Sequence, residues 1–122
     1  MKKILFFIFI IYKIHAQGFS IARIHYSGGG DWYSDPSSIP NLINFVINNT
    51  NIKMDNKEYR LKLDDPKIFD HTYIYITGHG NIRFNENEIL NLRKFLLNGG
   101  FLHADDNYGM NKDRKSTRLN SS

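Results

Sequence analysis

The sequence has 122 residues, enough for one small domain. Its formal charge is +4, but three of the 16 basic residues lie in the first sixteen positions and four lie in the last eleven, together with only one of the 12 acidic residues. The stretch 17–111 therefore holds nine basic and eleven acidic residues, which argues against a nucleic-acid surface. The absence of cysteine excludes disulfides, thiolate nucleophiles, Cys-ligated zinc and iron–sulfur clusters.

The first sixteen residues have the composition of a secretory signal peptide. Lys2 and Lys3 precede a nine-residue apolar run over 4–12, and Ala16 offers a cleavage site. The run is shorter than the roughly 20 residues of a membrane-spanning helix. An uncleaved anchor or a buried strand is the alternative. We expect an exported protein, periplasmic or associated with the cell envelope, whose contact with the membrane is limited to this segment.

The last residues, 112–122, are polar and basic and lack an apolar period. They indicate a disordered tail, or translated adapter sequence joined to a truncated reading frame. In the second case the natural protein continues beyond about Asn111. We therefore expect the domain over 17–111.

The first half of that domain reads as strand, loop, helix and strand. FSIARIHY at 19–26 has strand composition and ends at the glycine-rich SGGGDW. Ser38 is the predicted N-cap of a helix, and Pro40 fits the first turn. YRLKL at 59–63 alternates as in a half-exposed strand. The helix has apolar residues at helical spacing: Ile39, Leu42, Ile43 and Val46.

The second half repeats this order. Residues 72–77 form a nearly continuous apolar or aromatic run, typical of a parallel strand buried on both faces. Asn85 and Glu88 predict a capping box for a helix with a wide apolar face, which ends at Gly99 and Gly100. A short strand over 101–104 follows and is closed by two aspartates.

Strands that alternate with helices of about a dozen residues predict right-handed βαβ units and a parallel sheet. The elements amount to the N-terminal part of a flavodoxin-like α/β domain, which has about five strands. Such a partial sheet leaves an unpaired strand edge and an uncovered helix face, so the sequence predicts marginal stability.

Three polar loops follow strands directly, at 27–32, 77–81 and 105–107. If the strands are parallel, these loops emerge at one edge of the sheet, where ligands bind in open α/β folds. His79, Asp31, Asp105 and Asp106 would then converge from distant parts of the chain.

The candidate catalytic residues are His79, Asp105 and Asp106. His79 acts as a general base or a metal ligand, or it is only a hydrogen-bonding partner within its loop. The two aspartates hold a metal or orient His79, or they form a capping turn and one solvated charge. Residue types alone do not identify a metal or another cofactor.

The candidate ligand-binding residues lie in the same loops. The run from Gly28 to Gly30 forms a plain turn or cradles a phosphate, and its mismatch to known phosphate-binding motifs favours the turn. Trp32 and Tyr33 either stack on a sugar or peptide or cover the core. The full candidate set comprises Gly28, Gly29, Gly30, Asp31, Trp32, Gly78, Gly80 and Asn107.

Three separated stretches resemble one known family. SIARIHYSGGGDWYSD, KLDDPKIFDHTYIYITGHGNIRFNENEI and LRKFLLNGGFLHADDNYGMNKD are similar to the bacterial domain of unknown function 4159, over about 19–113. The resemblance implies a fold like that of class I glutamine amidotransferases and ThuA-like proteins, and export or membrane attachment. Amidotransferase relatives carry a nucleophilic cysteine at a strand–helix turn. TGHG occupies the comparable turn here, so the resemblance does not extend to glutaminase chemistry.

These observations leave three functional hypotheses. The first is an exported domain that binds a small ligand at the carboxyl edge of its sheet. The second is a hydrolase in which His79 acts as base or metal ligand, assisted by Asp105 or Asp106. The third is a structural partner of another protein in an envelope assembly, with the aromatic loop as the interface.

Overall fold

The computed structural model of the protein describes residues 18–107. The predicted signal peptide over 1–16 and the predicted tail over 112–122 lie outside these residues. Both remain predictions.

One four-stranded sheet forms the centre of the described domain. All three pairings are parallel and the order is β2-β1-β3-β4, so the predicted parallel α/β architecture is confirmed. The two inner strands are buried on both faces, as their continuous apolar sequences predict. The strands are β1 (Ile21–His25), β2 (Tyr59–Lys62), β3 (Tyr73–Gly78) and β4 (Phe101–Asp106).

Helical segments cover both faces of the sheet. Helix α1 (Ser38–Asn49) packs Ile39 and Ile43 against one face. Helix α2 (Glu86–Leu97) and a short 3₁₀ helix (Pro66–Asp70) pack Phe95 and Ile68 into the apolar cluster on the other face. The 3₁₀ segment takes the place of a full helix in the connection from β2 to β3, and the sequence analysis did not predict it.

The two predicted helix starts have different outcomes. The capping box of α2 is present, with the Asn85 side chain accepting from the Glu88 N–H and the Glu88 carboxylate accepting from the Asn85 N–H. Helix α1 instead has Ser37 at its N-cap and no capping bond from a side chain. The predicted cap, Ser38, is the first helical residue, and its hydroxyl donates to the Asp35 carbonyl oxygen at 2.8 Å.

Strand β4 is longer than predicted, because it continues through Asp105 and Asp106 instead of ending at Ala104. These aspartates pair with Thr77 and Gly78, so β4 ends level with β3. An exposed outer strand tolerates carboxylates that a central strand would have to desolvate.

The apolar face of α2 is only partly used in packing. Its buried residues are Glu88 and Phe95, whereas Ile89, Leu90, Leu96 and Leu97 are exposed, as is Phe101 at the start of β4. Within residues 18–107, no helix combines the length and hydrophobicity that crossing a bilayer requires.

Candidate functional site

The site lies where β1 and β3 end, at the carboxyl edge of the sheet. From these two neighbouring strands the chain leaves toward opposite faces, toward α1 after β1 and toward α2 after β3. In open α/β sheets the ligand crevice lies at such a change of direction, and we use the word crevice for the place where these two loops meet. The predicted meeting of the loop after β1 with the loop that holds His79 is therefore confirmed.

His79 and Asp31 are in direct contact across this crevice. Asp31 accepts hydrogen bonds from both the backbone N–H and the ring of His79, and its Oδ2 lies 3.0 Å from Nδ1. These bonds, the backbone one first, lower the pKa of the Asp31 carboxyl below its usual value. The imidazole side chain is 57% exposed, so Asp31 orients a ring that solvent and ligands can reach.

Glycines allow the two loops to lie against each other. Gly28 and Arg83 form an antiparallel bridge, with the Arg83 N–H donating to the Gly28 carbonyl oxygen at 2.9 Å. Gly29 has a φ of +88°, and a Cβ there would overlap the carbonyl oxygen of Asn81. A Cβ on Gly78 would overlap the Tyr26 hydroxyl. Both glycines are therefore required by close packing in the crevice.

Tyr26 forms the floor beneath the two loops. Its buried hydroxyl donates to the Thr77 carbonyl oxygen at 3.0 Å, and a Cβ on Gly30 would come within 2.6 Å of that hydroxyl. Burial and the nearby Asp31 carboxylate raise the pKa of Tyr26 to about 12. Tyr26 therefore serves as a hydrogen-bond donor at neutral pH.

A buried arginine holds the far end of the loop after β1. Arg23 is 1% exposed and pairs with Glu58 at 3.1 Å. Its other nitrogens donate to the carbonyl oxygens of Ser34 and Asp35 at 2.9 and 3.2 Å, and to the Ser38 hydroxyl at 3.1 Å. These bonds fasten the loop and the start of α1 to the sheet.

The near end of the same loop is held by Glu88, which is 2% exposed. Its carboxylate accepts from the Ser27 hydroxyl at 2.7 Å and from the Ser27 N–H at 3.1 Å, in addition to its bond in the α2 capping box. The capping pattern revealed Glu88 in the sequence, but nothing in it indicated the partner Ser27.

The predicted carboxylates of β4 lie on opposite faces of the sheet, because side chains alternate along a strand. Asp105 is on the α1 face, where the Tyr75 hydroxyl donates to it at 3.0 Å, so the structure does not bring it to His79. Asp106 pairs with Gly78, the residue before His79, and faces the other way. Their catalytic roles remain predictions.

Asn107 follows β4 and reaches the loop after β1. Its amide nitrogen donates to Asp35 at 2.6 Å and to the Thr77 hydroxyl at 3.2 Å. It therefore ties β4 to the loop that carries Asp31.

Trp32 and Tyr33, the aromatic pair of the loop after β1, lie in different surroundings. Trp32 is partly buried, packs against the core cluster and stacks on His25 with ring centroids 4.3 Å apart. Tyr33 is exposed and contacts Trp32 edge to face. Trp32 covers the core, and Tyr33 is the member of the pair that is available to a ligand.

The arrangement suits hydrogen bonding and proton transfer by His79. In a neutral ring whose Nδ1–H donates to Asp31, Nε2 is the acceptor. Among residues 18–107, no three acidic or histidine side chains are grouped in a way that could hold a metal ion. Gly80 also lies close to the loop after β1, because a Cβ there would come within 2.8 Å of the Gly29 carbonyl oxygen.

Comparison with known proteins gives a family. No curated protein matches the sequence. A family model with the description "Domain of unknown function (DUF4159)" matches residues 20–121, which include all of the strands, helices and loops described above. The chain therefore belongs to the DUF4159 family.

Proposed function

We propose that the domain binds a small hydroxyl-bearing ligand, such as a sugar, at the crevice between β1 and β3. The observation that carries the proposal is the contact of Asp31 with His79, which orients an exposed imidazole at the carboxyl edge of a parallel sheet. With Nδ1 engaged by Asp31, Nε2 accepts a hydrogen bond from a ligand hydroxyl, and Tyr33 supplies an exposed aromatic surface nearby.

A finer fold assignment supports this location. The order β2-β1-β3-β4 equals the first four strands of the flavodoxin-like order 2-1-3-4-5, whose ligands bind at the junction of the first and third strands. We infer from this agreement that the domain is flavodoxin-like.

The experiment is a binding titration followed by NMR of the His79 ring, with glucose, galactose and N-acetylglucosamine as probes. We expect at least one sugar to shift the ring signals, and the shift to saturate. His79→Ala should abolish binding, and Asp31→Asn should weaken it about tenfold, because asparagine has one acceptor oxygen where Asp31 uses two to hold the N–H and the ring of His79. His103→Ala, on the exposed β4 strand, is the control that retains binding.

Hydrolysis is the second candidate function, because an Asp-oriented histidine is also the arrangement of a general base. Turnover of p-nitrophenyl acetate tests it. If His79 is the base, His79→Ala should reduce the rate by about 10²–10⁴-fold. Absence of both sugar binding and His79-dependent turnover would contradict both functions. A complex with an envelope protein that survives His79→Ala would support the structural role instead.

A further inference from the structure

A separate cavity lies on the same edge of the sheet, between the ends of β1 and β2 and the start of α2. Its volume is about 240 Å³, below the roughly 300–1,000 Å³ of pockets for drug-sized ligands. A single amino acid or a molecule of similar size fits this space. The lining residues are His25, Ser27, Lys62, Asp64, Asn85 and Glu88.

Two residues of opposite charge line this cavity, and their side chains have no internal partners within residues 18–107. The Lys62 ammonium and the Asp64 carboxylate make no ion pair or hydrogen bond with any other side chain among the described residues. Lys62 pairs in register with His25 on the neighbouring strand, so the two side chains leave the same face of the sheet. His25 is held by stacking on Trp32, and its ring nitrogens make no hydrogen bond within the described part of the chain.

The opposite wall of the cavity is rigid. Glu88 is buried, and its carboxylate is fixed by the Ser27 hydroxyl and by the N–H groups of Ser27 and Asn85. Three hydrogen bonds leave one of the roughly four lone-pair positions of a carboxylate unused. The wall therefore supplies a fixed negative charge with one acceptor position that these bonds do not use.

We infer that this cavity binds a small zwitterion of the amino-acid class. The ligand carboxylate pairs with Lys62 and His25, and the ligand ammonium pairs with Asp64 and the remaining position on Glu88. A zwitterion matches both unpaired charges, whereas a simple anion would meet Asp64 and a simple cation would meet Lys62. The inference uses none of the residues of the Asp31–His79 contact and does not depend on the function proposed for it.

The test uses the full chain, labelled with ¹⁵N, and three matched probes. L-Serine is the zwitterion, ethanolamine is the same molecule without the carboxylate, and 3-hydroxypropanoate is the same molecule without the ammonium. We expect L-serine to shift the amide signals of Ser27, Asp64 and Asn85 with saturation at millimolar concentration. The two singly charged probes should bind at least about tenfold more weakly.

Variants test whether the charges of Lys62 and Asp64 bind the ligand. Lys62→Met and Asp64→Asn remove one charge each from exposed side chains, and each should weaken L-serine binding about tenfold or more. Lys67→Met makes the same change of charge at an exposed position of the 3₁₀ helix, outside the cavity, and should leave binding unchanged. His79→Ala should also leave it unchanged, which separates this site from the crevice.

Two outcomes would overturn the inference. One is the absence of saturable shifts with L-serine at millimolar concentration. The other is equal shifts from all three probes, which would show that the cavity does not recognise the paired charges. Both outcomes are obtained on the wild-type chain, so they do not depend on how the variants fold.

Discussion

Gly29 and Gly99 share a φ of +88° but differ in the space around them. A Cβ at Gly99 would have no atom within 4 Å, whereas a Cβ at Gly29 would overlap the Asn81 carbonyl. Gly99→Ala should therefore lower the free energy of unfolding by only about 1–2 kcal/mol, the cost of holding a residue with a Cβ in the left-handed region. Gly29→Ala should cost about 1–3 kcal/mol more, because the two loops of the crevice must separate.

Urea unfolding of the wild type and both variants measures the difference directly. The shared φ makes Gly99→Ala the matched control, since it subtracts the backbone strain from the effect at Gly29. Equal losses in the two variants would show that the loops of the crevice accommodate a methyl group at position 29 without separating.

His71 makes stability depend on pH. The ring is buried and bonded to the Ser20 hydroxyl at 2.7 Å, and burial lowers its pKa below the ordinary 6.5. Between the lowered pKa and 6.5 the unfolded chain binds a proton that the folded protein does not. The contribution of neutral His71 to the free energy of unfolding should therefore be fully present above about pH 6.5. It should decline as the pH falls from 6.5 toward the lowered pKa, by about 1.4 kcal/mol for each pH unit between the two pKa values.

Chemical denaturation from pH 7.5 to 5.5 checks this dependence. His71→Gln removes the titrating ring and should flatten the slope. Ser20→Ala removes the hydrogen bond but keeps the ring, so its slope should persist. A slope in His71→Gln equal to that of the wild type would assign the pH dependence to another group.

The sequence predicted the edge of the sheet at which these loops meet but not the contacts made there. His79 followed from its place after a buried strand. The sequence predicted that Asp31 and His79 converge, but the hydrogen bonds between them could not be predicted, because they depend on how the glycine loop bends over Tyr26 and bridges to Arg83. The opposite faces of Asp105 and Asp106 follow from strand alternation once β4 is known to include them.

At the scale of elements, Glu88 connects helix α2 to the loop after β1. Asn85→Ala removes an ordinary N-cap and should cost about 1 kcal/mol. Glu88→Ala removes the other half of the capping box and also leaves the N–H and hydroxyl of Ser27 without their acceptor. We expect a loss of about 3 kcal/mol or more, since a partly buried donor left unpaired adds about 1–3 kcal/mol.

Thermal or urea unfolding of Asn85→Ala, Glu88→Ala, Ser27→Ala and the Ser27/Glu88 double variant tests this role. The double-mutant cycle should give a coupling energy above about 0.5 kcal/mol, the range typical of residues in contact. If Glu88→Ala lowers the free energy of unfolding no more than Asn85→Ala does, Glu88 acts only in the capping box.

The elements themselves were predictable, because their signals are local. Buried parallel strands have continuous apolar sequences, and α2 is preceded by a recognisable capping box. The start of α1 was missed by one residue, because the Ser38 hydroxyl interacts with Asp35 and Arg23, which no local pattern reveals. The 3₁₀ helix was missed because a single short turn has no apolar period.

At the scale of the molecule, the two edges of the sheet differ in how well they are protected against pairing with another chain. The outer strand β2 has the exposed charges of Arg60 and Lys62, which discourage pairing with another chain. The outer strand β4 begins with Phe101, which is 58% exposed, and Leu97, four residues earlier at the end of α2, is 79% exposed. The signal peptide, export and marginal stability remain predictions.

The exposed apolar residues at the β4 edge should make the chain self-associate. Replacing Leu97 and Phe101 together by Lys should reduce that association, because added charge opposes contact between strand edges. Stability should change by no more than about 0.5 kcal/mol per site, since both side chains are largely exposed. Sedimentation velocity over a range of concentrations and thermal unfolding measure the two effects.

A Phe45/Ile47→Lys double variant is the matched control for this prediction. Phe45 and Ile47 are 63% and 39% exposed on α1, which covers the opposite face of the sheet from α2, and the two substitutions add the same two charges. If association arises from the β4 edge, this control should associate as the wild type does while the Leu97/Phe101 variant remains monomeric. A decrease of the same size in both variants would mean that net charge, and not the strand edge, controls association.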